Sequence, residues 1–227
     1  MSDQLREVAD VTEGMALEDA LFLGETAGAV VWQASARALV APRAYRTRTG
    51  FDAAARASAA RGWPVFLRPT GGGIVPQGRG VVNLAISFRP PRNYSIEDAY
   101  KLLTGAIRDG LGTPGQTLVP GDTPGSFCDG DWNLSFGGRK IVGTAQKWRP
   151  VRGDRPRVLA HAMILNTGDV TPGARAVSAL HRDIGLTPVD PGVHTTLDAA
   201  FGPAGYELTH LHQTAEAAAK SISLAKD

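Results

Sequence analysis

Apolar residues recur along the chain with two rhythms, one of period two and one near 3.6. Val82, Leu84, Ile86 and Phe88 share one face of a predicted strand over 81–88. Short apolar runs predict further strands: Val30-Val31-Trp32 within 29–34, Leu39-Val40, Val65-Phe66-Leu67, and 158–165. Helical spacing over 15–26 places Leu17, Ala20 and Leu21 on one side. The Ala-rich stretch 52–61 is a second helix, stopped by Gly62-Trp63-Pro64. Ser95, with Asp98 three residues on, caps a third, whose apolar face holds Ile96, Ala99, Leu103 and Ile107. Thr171-Pro172-Gly173 opens a helix with Ala174, Val177 and Leu180, and 206–224 has helical character. Residues 1–14 are polar and expected to be loose, and 110–125, rich in Gly, Pro and Thr, reads as a loop. Interleaved helices and strands predict an α+β fold, a mixed, mainly antiparallel sheet flanked by helices. No linker divides the chain, so 1–227 is expected to be a single domain.

Two stretches break the packing logic. Leu67-Arg68-Pro69-Thr70 runs into Gly71-Gly72-Gly73. Consecutive glycines contribute no packing and suit a backbone that something must approach closely. The functional reading is a loop of bare N–H groups for a phosphate or carboxylate, with Arg68 beside it. The alternative is a flexible surface loop. Further on, Gly137-Gly138 suits a tight hairpin turn between 133–136 and 139–146. Simple pairing sets Phe136 opposite Arg139, Ser135 opposite Lys140, and Leu134 opposite Ile141. Lys140 then stands in a polar row with Asn133, Ser135, Thr144 and Gln146, Val142 being the exception. A lone strand lysine is more often solvated than functional.

Composition narrows the classes. The chain has 227 residues, a formal net charge of +2 and 43% hydrophobic residues, enough for one substantial core. That charge gives no case for nucleic acid as a partner. A single cysteine excludes an internal disulfide framework. No apolar run reaches membrane-spanning length and no secretory signal opens the chain, so a cytoplasmic protein is expected. His210-Leu211-His212 lacks acidic or cysteine company and reads as a solvated helix, so no metal site is expected. His181 and His194 stand in polar surroundings.

Arg68-Pro-Thr-Gly-Gly-Gly-Ile-Val75 followed by Gly138-Arg-Lys-Ile-Val-Gly-Thr-Ala-Gln146 resembles the lipoate–protein ligase and octanoyltransferase family. The resemblance implies the class II synthetase-like catalytic domain of biotin and lipoate ligases, without the accessory C-terminal domain. It implies lipoate or octanoate as acid, ATP and Mg as substrates, and an acyl-adenylate intermediate. The acceptor it implies is a lysine of a lipoyl carrier domain or glycine-cleavage H-type protein, with acyl carrier protein as a further partner. It carries over Arg68, Thr70, Gly71, Gly72, Gly73 and Lys140, and with them Asn83 and His161. Lys140 would grip acyl carbonyl and phosphate together. In the basic stretch 42–48, Arg43 is the candidate for a nucleotide phosphate.

The chain also departs from that pattern. Gln77-Gly78 stands where ligases have His-Asp, Leu67 replaces an arginine, and His161-Ala162-Met163 replaces His-Gly-Ser/Thr. Cys128, just upstream of the second motif, supports another reading. Some family members pass octanoyl through a cysteine thioester without ATP, paired with the second motif's lysine. Cations and loop N–H groups would favour the thiolate there. A small buried cysteine is the plain alternative. A third reading is a catalytically weak binder of lipoyl groups or nucleotides.

Overall fold

The computed structural model describes residues 5–225. In chain order it runs β1 (Arg6–Val8), α1 (Val11–Leu23), β2 (Gly28–Ala34), β3 (Ala38–Pro42), a 3-10 turn (Arg43–Thr47), α2 (Phe51–Ala60), β4 (Val65–Arg68) and β5 (Val75–Gln77). There follow β6 (Val81–Phe88), α3 (Ile96–Gly110), α4 (Gly112–Gln116), β7 (Val119–Pro120), β8 (Leu134–Phe136), β9 (Arg139–Arg149) and β10 (Arg157–Leu165). The last helices are α5 (Thr171–Asp183), α6 (Leu197–Phe201) and α7 (Leu211–Leu224). A seven-stranded sheet has the order β1-β2-β6-β10-β9-β8-β7, and a small sheet the order β4-β3-β5. Only β1/β2 and β3/β4 are parallel among the described pairs. The α+β, mainly antiparallel expectation holds.

Strand alternation sorts the large sheet into two cores. Val82, Leu84 and Ile86 of β6 and Val158, Ala160 and Ile164 of β10 pack against α3 and α7. The opposite face, with Trp32, Ala85, Leu159 and Met163, meets α1 and the small sheet, which α2 and α5 cover. The Ser95–Asp98 capping box forms as expected, each side chain accepting from the other's backbone N–H.

Several expectations are corrected. Residues 1–14 are not loose where they are described: β1 pairs with β2, and α1 already starts at Val11. Asp10 caps that helix, accepting from the Thr12 and Glu13 N–H groups. Residues 1–4 lie outside the described residues. The supposed loop 110–125 contains α4 and β7. The buried positions of α1 are Val11, Gly14, Glu18 and Phe22; Leu17 and Leu21 are half-buried against the same core, and Ala20 is exposed. Gly14 leaves room for Trp32: a Cβ there would lie 2.2 Å from the indole. Glu18 is drawn inward by hydrogen bonds from Trp32 Nε1 and His161 Nδ1. His181 and His194 are buried, not in polar surroundings.

The hairpin register also slips. Phe136 faces Arg139 and Ser135 faces Lys140 as expected, but a bulge then sets Leu134 opposite Val142 rather than Ile141. Ile141 and Val142 both enter the core under α3 and α7. Val142 is therefore no exception. Lys140 turns to the other face, beside Gly143, where it is fully buried.

Candidate functional site

The cavity lies between the large sheet and α1 with the small sheet. Its volume is about 290 Å³ and its lining is mainly apolar. Its floor is β10 (Leu159, His161, Met163) and β9, whose Gly143 and Ala145 keep it open. Small residues are needed there because a larger side chain would fill the space. Met15, Trp32, Val40, Leu67 and Val75 form apolar walls. Such a mostly apolar cleft with a few polar groups is a typical small-molecule site.

The polar groups form four devices. Glu18 accepts from Trp32 Nε1 at 3.0 Å and faces His161 Nδ1 at 2.9 Å, while His161 Nε2 lies 2.9 Å from Thr70 Oγ1. An ionised carboxylate only accepts, so Nδ1 carries a proton; in the neutral ring Nε2 then accepts from Thr70. Gln77 and Asn83 exchange two amide hydrogen bonds, at 2.8 and 2.9 Å, and so hold each other's buried amides.

The third device is the glycine loop. Arg68 is buried, and its guanidinium donates to the carbonyls of Val40, Gly71 and Gly73. Burial lowers its pKa, and the neighbouring Cys128 and Glu18 act against that shift. The arginine thus shapes the loop from below. What approaches the bare backbone is the Cys128 segment of this same chain. Gly73 N–H donates to Cys128 Sγ at 3.1 Å. A Cβ on Gly73 would lie 2.9 Å from Cys128 Cα, and one on Gly72 2.7 Å from Sγ. Gly71 has open space at that position. Gly73→Ala is therefore expected to lower stability by about 1–3 kcal/mol, because backbone must shift. Gly71→Ala should stay within about 0.5 kcal/mol. Urea unfolding of the two variants checks this contrast.

The fourth device holds Cys128 itself, whose φ of 55° is the left-handed region that L side chains avoid. Asn133 Nδ2 donates to the Cys128 carbonyl at 3.1 Å while its Oδ1 accepts from Thr144 N–H. Lys140 Nζ donates to the Phe127 and Cys128 carbonyls, both at 2.6 Å. Burial pushes the Lys140 amine down to about 8, against the attraction of Cys128 and Asp129. Behind it, His194 accepts from Phe127 N–H and stacks on the Phe127 ring, with centroids 4.0 Å apart.

Burial, with help from Lys140, lowers His194 to about 4. The folded protein therefore binds fewer protons than the unfolded chain between about pH 4 and 6.5. Stability should be fully present above pH 6.5 and fall with pH through this window, by on the order of 3 kcal/mol. His194→Gln should flatten that slope in urea titrations across the window.

The structure brings Arg68, Thr70, Asn83, Cys128 and His161 to one cavity, with exposed Arg43 at its rim. Lys140 donates to the Cys128 carbonyl, and Gly71 and Gly72 line a second cavity that also meets Cys128. Sequence reasoning missed Glu18, Trp32, Asn133 and His194 as site residues. For Glu18 a signal existed: it sits four residues from both Gly14 and Phe22, on the face that packs inward.

Known proteins resemble this chain. The family model for the lipoyl protein ligase A/B catalytic domain matches residues 12–196. An uncharacterised protein of Cupriavidus necator is 39% identical over 180 residues, 70% of each chain. The octanoyl-GcvH:protein N-octanoyltransferase of Kyrpidia tusciae is 32% identical over 153 residues. That match covers 65% of this chain and spans about half, 53%, of the relative. A solved lipoate-protein ligase A bound with ATP superposes with TM-score 0.67 at 16% identity, covering 100% of this chain and 87% of the other. A putative lipoate protein ligase of T. acidophilum with bound lipoic acid gives TM-score 0.63 at 19% identity, with coverage of 100% and 87%. These two likenesses speak for the fold. The match that begins at the second residue of α1 and ends one residue before α6 takes in the glycine loop, Cys128 and Lys140, and by it the chain belongs to the lipoyl protein ligase A/B catalytic domain family, as a lipoate ligase or octanoyltransferase enzyme.

Proposed function

We propose that the chain is an acyltransferase that carries octanoyl, or the related lipoyl group, through a thioester on Cys128 to a lysine of a lipoyl carrier domain or glycine-cleavage H-type protein. The observation that carries this reading is the placement of Cys128: its Sγ meets the Gly73 N–H at the wall of an apolar cavity suited to an acyl chain. The Gly73 N–H donor and the nearby Arg68 and Lys140 surround the residue with polar hydrogen. In the first half-reaction the sulfur bonds to the acyl carbonyl carbon. The donor's thiol or amine leaves with a proton. In the second, the acceptor amine attacks the same carbon, the C–S bond breaks, and the amine proton is given up. Lys140, held at the Cys128 carbonyl and titrating near 8, is the group suited to move that proton around neutral pH. The octanoyltransferase relatives support the acyl group and the H-type partner. Acyl carrier protein or an H-type protein would serve as donor.

The second reading is adenylation of lipoate or octanoate with ATP and Mg. The likeness to a ligase structure bound with ATP favours it. Against it, three of the N–H groups of Arg68 are committed to the Val40, Gly71 and Gly73 carbonyls. Arg43 is the exposed cation left at the cavity for a phosphate. The mass of an apo lipoyl domain separates the readings. Incubation with an octanoyl carrier and no ATP should modify the domain. Modification that occurs only with free acid and ATP would replace the thioester reading with the ligase one. No modification in either mixture would leave the binder.

A further inference from the structure

Cys128 is a wall shared by two cavities. The first is the apolar one. The second, about 330 Å³, shares Cys128, Thr144 and Ala145 with it and is lined further by Tyr100, Trp132, Asp129, Asp131 and Gln146. Its character is different. Tyr100 and Trp132 stack in parallel, with interplanar angle 4° and centroids 6.0 Å apart. Asp131 is exposed, and Asp129 fixes the loop by accepting from Thr123 and Gly130 N–H groups.

Building on the thioester reading, we infer that this second cavity guides the acceptor lysine: its butyl stem lies along the Tyr100–Trp132 stack and its ammonium is drawn past Asp131 to the thioester on Cys128. Aromatic faces attract ammonium groups; Lys101, ion-paired with Glu97, flanks the stack with its Nζ 5.9 Å from the Trp132 centroid. The carboxylates also select by charge. They attract a cationic amine. The two cavities that meet at Cys128 then have separate tasks, one holding the acyl tail and the other the entering nucleophile. This arrangement keeps the acyl chain in place while donor and acceptor exchange.

The test separates the half-reactions. The protein is acylated with p-nitrophenyl octanoate, and the thioester is then discharged either by apo lipoyl domain or by hydroxylamine, a small neutral amine that needs no guidance. Asp131→Asn and Trp132→Ala are expected to slow discharge by the lipoyl domain at least tenfold. Acylation and discharge by hydroxylamine should stay within twofold. Asp131 is exposed, so its variant tests the idea even if the tryptophan variant fails to fold. Wild-type transfer to the lipoyl domain by both variants would overturn the inference. So would an equal loss with hydroxylamine, which reports a damaged thioester site. If the parent protein forms no thioester at all, the Cys128 reading itself falls and this inference with it.

Discussion

Cys128→Ser is expected to lower ATP-independent octanoyl transfer to a lipoyl domain by at least about 10³-fold, the scale of losing a covalent nucleophile. Serine is nearly isosteric and tolerates the φ of 55° as well as cysteine does. The cavity, the glycine loop and the Asn133 contact to the residue 128 carbonyl should survive, because none requires sulfur except the Gly73 N–H contact. Melting temperature should therefore change little while transfer collapses. A serine hydroxyl is a much weaker nucleophile than a cysteine sulfur at neutral pH, and this is where the loss arises. Steady-state transfer rates and a thermal melt on the same preparation check both halves of the expectation.

Lys140→Met should have the second-largest effect, lowering transfer by about 10²–10⁴-fold, as expected for a lost proton-transfer group. Methionine fills a similar space but donates nothing. The Phe127 and Cys128 carbonyls lose their partner, at a cost of about 1–3 kcal/mol. The pH dependence adds a signature. Burial holds the native amine near 8, while in the unfolded chain it titrates at 10.5. Between these values the unfolded state binds more protons, so the parent's stability rises with pH through the window, by on the order of 3 kcal/mol. Below pH 8 the charged amine bears its desolvation cost in full. The difference in stability between parent and variant should change across pH 8 to 10.5, and urea titrations at several pH values measure it. A flat difference would place the amine in solvent.

The architecture was largely legible in the residues. Val82, Leu84, Ile86 and Phe88 alternate on a real strand, and Ser95 caps a real helix, because local pattern and tertiary burial agree there. The errors have one physical origin: contacts from distant segments override local rules. Glu18 is polar yet faces inward because Trp32 and His161 satisfy both its oxygens. Lys140 is cationic yet fully buried, because a bulge turns it and two carbonyls receive it. Neither the bulge nor those carbonyls can be seen in a hairpin's own sequence. Of the three glycines, Gly72 and Gly73 are closely approached, while Gly71 has open space. That the approaching group is the Cys128 segment, 55 residues further on from Gly73, is a matter of topology rather than pattern.

Intact mass followed by peptide mapping, after incubation with octanoyl donor and no ATP, tests the account most directly. The prediction is one octanoyl group on the peptide containing Cys128, removed by hydroxylamine and by added apo lipoyl domain. A protein that stays unmodified under those conditions, yet transfers octanoate once ATP is supplied, would contradict it.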